Sequence, residues 1–74
     1  MESKNPQTCL ILLGRKIRSY REMQGLSQAK LALMINSGQS YIYRIETGQV
    51  NPGVDKLVRI ANALDVNVRD LITF

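Results

Sequence analysis

Turn signals cut this chain into pieces too short for anything but small helices. Gly25 precedes Leu26-Ser27, Asn36-Ser37-Gly38 follows soon after, and Gly48 begins the run "GQVNPG". Between these breaks apolar residues recur at spacings of three and four, the period of a helix buried on one side. No stretch alternates apolar and polar as a half-buried strand does. The expected fold is all-α: five short helices with tight connections. With 74 residues there is room for one domain and a small core.

The opening "MESKNPQ" is polar and contains Pro6, so residues 1–7 are expected to form a flexible leader and 8–74 a single domain. A first helix is expected from near Thr8, with Leu10, Leu13, Ile17 and Tyr20 on one face and Gly25 as its stop. Ser27 is a good N-cap for the next, and Leu26 and Leu31 are spaced for a hydrophobic staple. Leu31, Ala32 and Ile35 then share a face, and Asn36 tolerates the left-handed conformation that ends the helix. A third helix covers 39–46. The fourth starts at Gly53 or Val54, with Leu57, Val58, Ala61 and Leu64 expected inward. Asn67 and Asp70 are spaced to cap the last helix reciprocally.

The third helix divides cleanly. Advancing 100° per residue, Ile42 and Ile45 fall within about 60° of each other and define a core side. Tyr41 and Glu46 border it. Gln39, Ser40, Tyr43 and Arg44 face away, giving hydrogen-bonding groups and a cation with no carboxylate. Such a helix fits the major groove of DNA, where Gln pairs with adenine, Arg with guanine, and Ser with several base edges. An ordinary solvated face has the same composition. Its setting favours DNA: 28–35 and 39–46, joined by a tight turn, have helix-turn-helix spacing, the unit covering residues 27–46.

Charge points the same way. Ten Lys+Arg against six Asp+Glu give a net charge of +4, which suits an anionic partner. Arg15, Lys16 and Arg18 precede the first acid of their helix and are candidates to hold phosphates, as is the N-terminal turn of the second helix at Gln28. The chain has no histidine and one cysteine, Cys9, so no internal disulfide, Cys–His pair or metal cluster is available. No enzyme, cofactor or metal is expected, and the single cysteine fits a reducing cytoplasm. "CLILL" is too short to span a bilayer.

The stretches "IRSYREMQGLSQAKLA", "SYIYRIETGQVNPGVDKLVRIANALDV" and "DLI" resemble the Cro/phage-repressor, or Xre, helix-turn-helix family over residues 13–72. The layout is also similar to that of restriction–modification controller proteins. The resemblance implies a compact five-helix, phage-repressor-like domain of bacterial or phage origin that regulates transcription, with helices 2 and 3 as its reading unit. It implies base contacts from Gln39, Ser40, Tyr43 and Arg44, with Gln28 touching DNA or buttressing Gln39. Gln49 and Asn51 match a segment that contacts the DNA backbone, and Tyr41 is placed with them. Arg21 and Glu46 match a partly buried ion pair. Where the family has glycine and an apolar residue in the turn, this chain has Asn36 and Ser37.

One helix reads only a few base pairs, so the expected partner is double-stranded DNA with a near-palindromic operator, bound by a homodimer and acting as a repressor. Ile11, Leu12, Leu71, Ile72 and Phe74 are candidates for the dimer surface or for core. Two other classes stay open. An antitoxin or adaptor would bury Leu33 and Met34 against a partner protein. A membrane-surface module would need a long cationic amphipathic helix, which the pattern does not provide.

Overall fold

A computed structural model describes residues 5–74. Its helices are α1 (Pro6–Met23), α2 (Gln28–Met34), α3 (Gln39–Glu46), α4 (Gly53–Leu64) and α5 (Val68–Ile72). The first begins before Thr8. Asn5 is its N-cap, accepting from the Gln7 N–H at 2.8 Å. Pro6 marks a helix start because proline is well tolerated in the first turn, where its missing N–H has no partner to lose. Residues 1–4 of the expected leader lie outside the described residues.

Four of the helices end in one way. Gly25, Asn36, Gly48 and Asp65 each adopt positive φ. The next residue's N–H then bonds to a carbonyl five positions back: Leu26 to Arg21, Ser37 to Ala32, Gln49 to Arg44 and Val66 to Ala61, all at 2.8–3.1 Å. This is the Schellman ending, which satisfies carbonyls the helix leaves open and turns the chain sharply. Asn36 does what glycine does elsewhere. Ser37 contributes its backbone N–H to that turn. At α5, the Asp70 carboxylate accepts from the Asn67 N–H at 2.9 Å.

One core joins all five helices: Leu13 and Ile17, Leu31, Ala32 and Ile35, Ile42 and Ile45, Ile60, Ala61 and Leu64, and Leu71. Leu26 packs against it, as does Tyr20. The expected inward face of α4 needs correction. Val58 is 39% exposed and Ile60 is fully buried, because the face runs Leu57, Ile60, Ala61, Leu64 and leaves Val58 to one side. Leu71 belongs to the core and is not available to a dimer, whereas Ile72, Phe74 and Ile11 stay exposed. No helix among the described residues is long and apolar enough to cross a membrane.

Gly14 sets how closely α1 approaches α3. A Cβ there would lie 2.4 Å from the Ile45 carbonyl oxygen and 2.6 Å from that of Glu46. These are backbone atoms at the end of α3, so relief requires moving a helix. Gly14→Ala should destabilise the fold by about 1–3 kcal/mol through overpacking, although alanine is the better helix former. Urea denaturation would measure it, and an unchanged midpoint would show that the two helices part freely.

Candidate nucleic-acid interface

α3 is anchored by Ile42 and Ile45, both essentially out of solvent. That anchoring turns Gln39, Ser40, Tyr43 and Arg44 outward, and all four are exposed. No acid lies on this face. Tyr43 is 51% exposed, a large ring standing in water on a helix only eight residues long. The Arg44 Nε lies 3.4 Å from the Ser40 carbonyl of its own helix. At the C-terminal end, Thr47 Oγ1 donates to the Tyr43 carbonyl at 2.9 Å and accepts from Gln49 Nε2 at 2.7 Å.

The outward face is held by a pair beneath it. Arg21 Nε donates to Glu46 Oε2 at 2.6 Å and Arg21 Nη2 to Glu46 Oε1 at 3.0 Å. The Glu46 side chain is 2% exposed and that of Arg21 10%. This planar two-bond geometry is the strong form of an ion pair. Hydrogen bonding to Glu46 holds the Arg21 guanidinium above its ordinary pKa, against the desolvation that opposes it. Arg21 Nη1 also donates to the Leu26 carbonyl at 2.7 Å. From Glu46 a chain of amides leads outward: Gln28 Nε2 donates to Glu46 Oε1 at 3.1 Å, and Gln39 Nε2 to Gln28 Oε1 at 3.4 Å. Arg21, Glu46, Gln28 and Gln39 thus form one connected group.

The remaining candidates are not joined to that group. Arg15 and Arg18 line a shallow hollow on α1 with Ser19, Glu22 and Met23, and Arg18 pairs with Glu22 at 3.4 Å. Lys16 is half-buried. Gln49 and Asn51 lie in the loop after α3, where Asn51 Oδ1 accepts from the Gly53 N–H at 3.1 Å. Gln7 Nε2 donates to the Gly48 carbonyl at 3.1 Å, fastening the start of α1 to this loop.

Sequence reasoning missed Lys56. Its ammonium sits 5.7 Å from the centre of the Tyr41 ring, a cation–π contact between α4 and α3. Tyr41 was legible as a border residue of α3, but only the fold brings a cation from α4 to it. Among the described residues, no group of His, Cys, Asp and Glu is placed to hold a metal ion.

Comparison with known proteins finds that residues 17–71 match the family described as Helix-turn-helix. The control protein C.BamHI of Bacillus amyloliquefaciens is 37% identical over 65 residues, covering 86% of this chain and 80% of that protein. The transcriptional regulator SinR of Bacillus subtilis is 34% identical over 62 residues, covering 82% of this chain and 56% of SinR. A crystal structure of SinR in complex with DNA superposes with a TM-score of 0.74 at 35% identity, over 80% of this chain and 95% of that one. The restriction–modification controller C.AhdI from Aeromonas hydrophila superposes with a TM-score of 0.81 at 35% identity, over 84% of this chain and 94% of that one.

Glu46→Ala would leave the Arg21 guanidinium buried beside an empty space. The expected loss is about 3–5 kcal/mol of stability, the usual result of removing one partner from a buried pair. Thermal and urea unfolding would measure it. A loss near that of an exposed pair, below about 1 kcal/mol, would show that water reaches Arg21.

Proposed function

This chain belongs to the helix-turn-helix family of DNA-binding transcriptional regulators, and from that premise we propose that it is a repressor that reads a near-palindromic operator as a homodimer in the cytoplasm of a bacterial cell. The observation that carries this reading is the carboxylate-free outward face of α3. It is set on a fold that superposes on SinR bound to DNA. α3 lies in the major groove. Gln39, Ser40, Tyr43 and Arg44 meet base edges, with Gln39 and Arg44 the bidentate readers.

Phosphates are held by residues outside the reading face of α3. Arg15, Lys16 and Arg18 serve from α1, with Arg18 sharing its charge with Glu22. Tyr41, Lys56, Gln49 and Asn51 serve from α3, α4 and the loop between them, and Gln28 serves as a backbone contact or a buttress. A single α3 spans only a few base pairs. Useful selectivity therefore needs two copies, with half-sites about 34 Å apart. Ile11, Ile72 and Phe74 are exposed apolar residues available for that pairing.

Selection of a random duplex library by the purified protein, at two salt concentrations, tests the whole reading. Enrichment of an inverted repeat with half-sites one helical turn apart is expected. Salt-sensitive binding with no enriched sequence would make the α3 face a generic anion surface.

Two substitutions separate the roles. Arg44→Ala should weaken specific binding by about 1–3 kcal/mol and relax one base position; uniform weakening on all duplexes would instead make Arg44 a phosphate contact. Lys16→Ala should weaken binding to specific and random duplexes alike and lower the salt slope by about one. Titrations across salt concentration measure this, and a loss confined to the specific site would reassign Lys16.

A further inference from the structure

Gln7, Ile11 and Gly14 follow one another at helical spacing, so they form one stripe along α1. That stripe runs over the end of α3. Gly14 lies against the Ile45 and Glu46 carbonyls, and Ile11 lies against Gly48, where a Cβ would come within 2.8 Å of Ile11 Cγ1 and 3.0 Å of its Cα. One turn before Ile11, Gln7 Nε2 donates to the Gly48 carbonyl at 3.1 Å. All three residues precede the segment 17–71 that matches the family. The peptide unit joining Gly48 to Gln49 is thereby fixed at both ends. Its carbonyl accepts from Gln7, and its N–H, on Gln49, donates to the Arg44 carbonyl at 2.8 Å.

Gly48 has φ 76° and no side chain to limit rotation of that peptide unit. Hydrogen bonds hold it instead. Its plane sets the direction in which the chain leaves α3, and so the place of Gln49 and Asn51. Beyond it, Gln49 Nε2 donates to Thr47 Oγ1 at 2.7 Å. Asn51 uses its Oδ1 on the Gly53 N–H at 3.1 Å, which leaves its Nδ2 to donate outward. We propose that Gln7 is a positioning residue for binding the DNA backbone: by fixing the Gly48 carbonyl it holds the loop after α3 where Gln49 and Asn51 meet a phosphate. The inference rests on the reading that this loop contacts the backbone. Gln49 and Asn51 are neutral. The contacts that Gln7 sets therefore add affinity on every sequence and release no counterion, unlike those of a lysine or arginine.

Gln7→Met keeps the length of the side chain and removes its donor. The test titrates wild-type and Gln7→Met proteins, across salt concentration, with the duplex that wild-type protein enriches from a random library and with a random-sequence duplex. Binding to both should weaken by about fivefold, the scale of one ordinary hydrogen bond, with the salt slope and the base preferences unchanged. Gln7 is exposed and outside the core, so the thermal midpoint should hold. In a protein that carries Gln49→Ala and Asn51→Ala, adding Gln7→Met should weaken neither duplex further, because the loop no longer reaches a phosphate.

Unchanged affinity in Gln7→Met overturns the role of Gln7 and leaves the loop as a backbone contact. A loss that persists in the Gln49→Ala, Asn51→Ala protein overturns it by placing the effect outside the loop. A loss confined to the enriched duplex overturns it by placing the effect on the reading face of α3. If the Gln49→Ala, Asn51→Ala protein binds both duplexes as wild type does, the backbone role of the loop falls and the positioning role falls with it.

Discussion

A guanidinium and a carboxylate, both withdrawn from water, hold α3 against α1. Taking two such charges out of solvent is expensive, and the pair is tolerable only where geometry and further hydrogen bonds are good. Here they are. Arg21 uses two nitrogens on Glu46 and a third on the Leu26 carbonyl. Glu46 also accepts from Gln28. Among the described residues, no buried side-chain polar atom lacks a partner. Arg21 thereby joins α1, the turn after it and α3, and through Glu46 it reaches α2. Net stability from such a pair is small. In this placement of α3 each of these groups has a partner.

The close approach at Gly14 and the repeated helix endings serve the same end by other means. Glycine brings the α1 backbone against the last carbonyls of α3. A Schellman turn at Asn36 reverses the chain between α2 and α3, and another at Gly48 sends it on toward α4. These turns are set by backbone hydrogen bonds and one left-handed residue each. A domain this small cannot rely on a deep core for orientation. It uses short, fully bonded connections, so that few apolar residues are enough to fix five helices.

Much of this was legible from spacing and punctuation. Ser27 as a cap, Asn36 and Gly25 as terminators, and the bounds of α3 follow from local chemistry acting over a few residues. The outward set on α3 followed because Ile42 and Ile45 are the only strong apolar pair on that helix. What was not legible depended on tertiary placement. Pro6 looked like a break because its position relative to a cap could not be judged from the polar residues around it. Val58 and Ile60 are both apolar and two residues apart, and periodicity alone does not decide which one a neighbouring helix covers. Gly14 within a helical pattern carried no signal of the carbonyls it would meet. Lys56 and Tyr41 meet only once α4 is folded back.

The division of α3 into an anchored side and an outward side also bears on how such a domain changes over generations. Ser40, Tyr43 and Arg44 have no part in the core, and Arg44 leans only on its own helix. Each can be exchanged with little effect on folding, so the outward surface at the middle and end of the helix is free to drift. Gln39 is different. It is tethered through Gln28 to the ion pair that places the helix. A new residue at position 39 must come to terms with Gln28, and a new residue at 28 with Glu46. A lineage built on this plan can therefore vary its outward surface readily at one end of α3, while the other end evolves in linked steps.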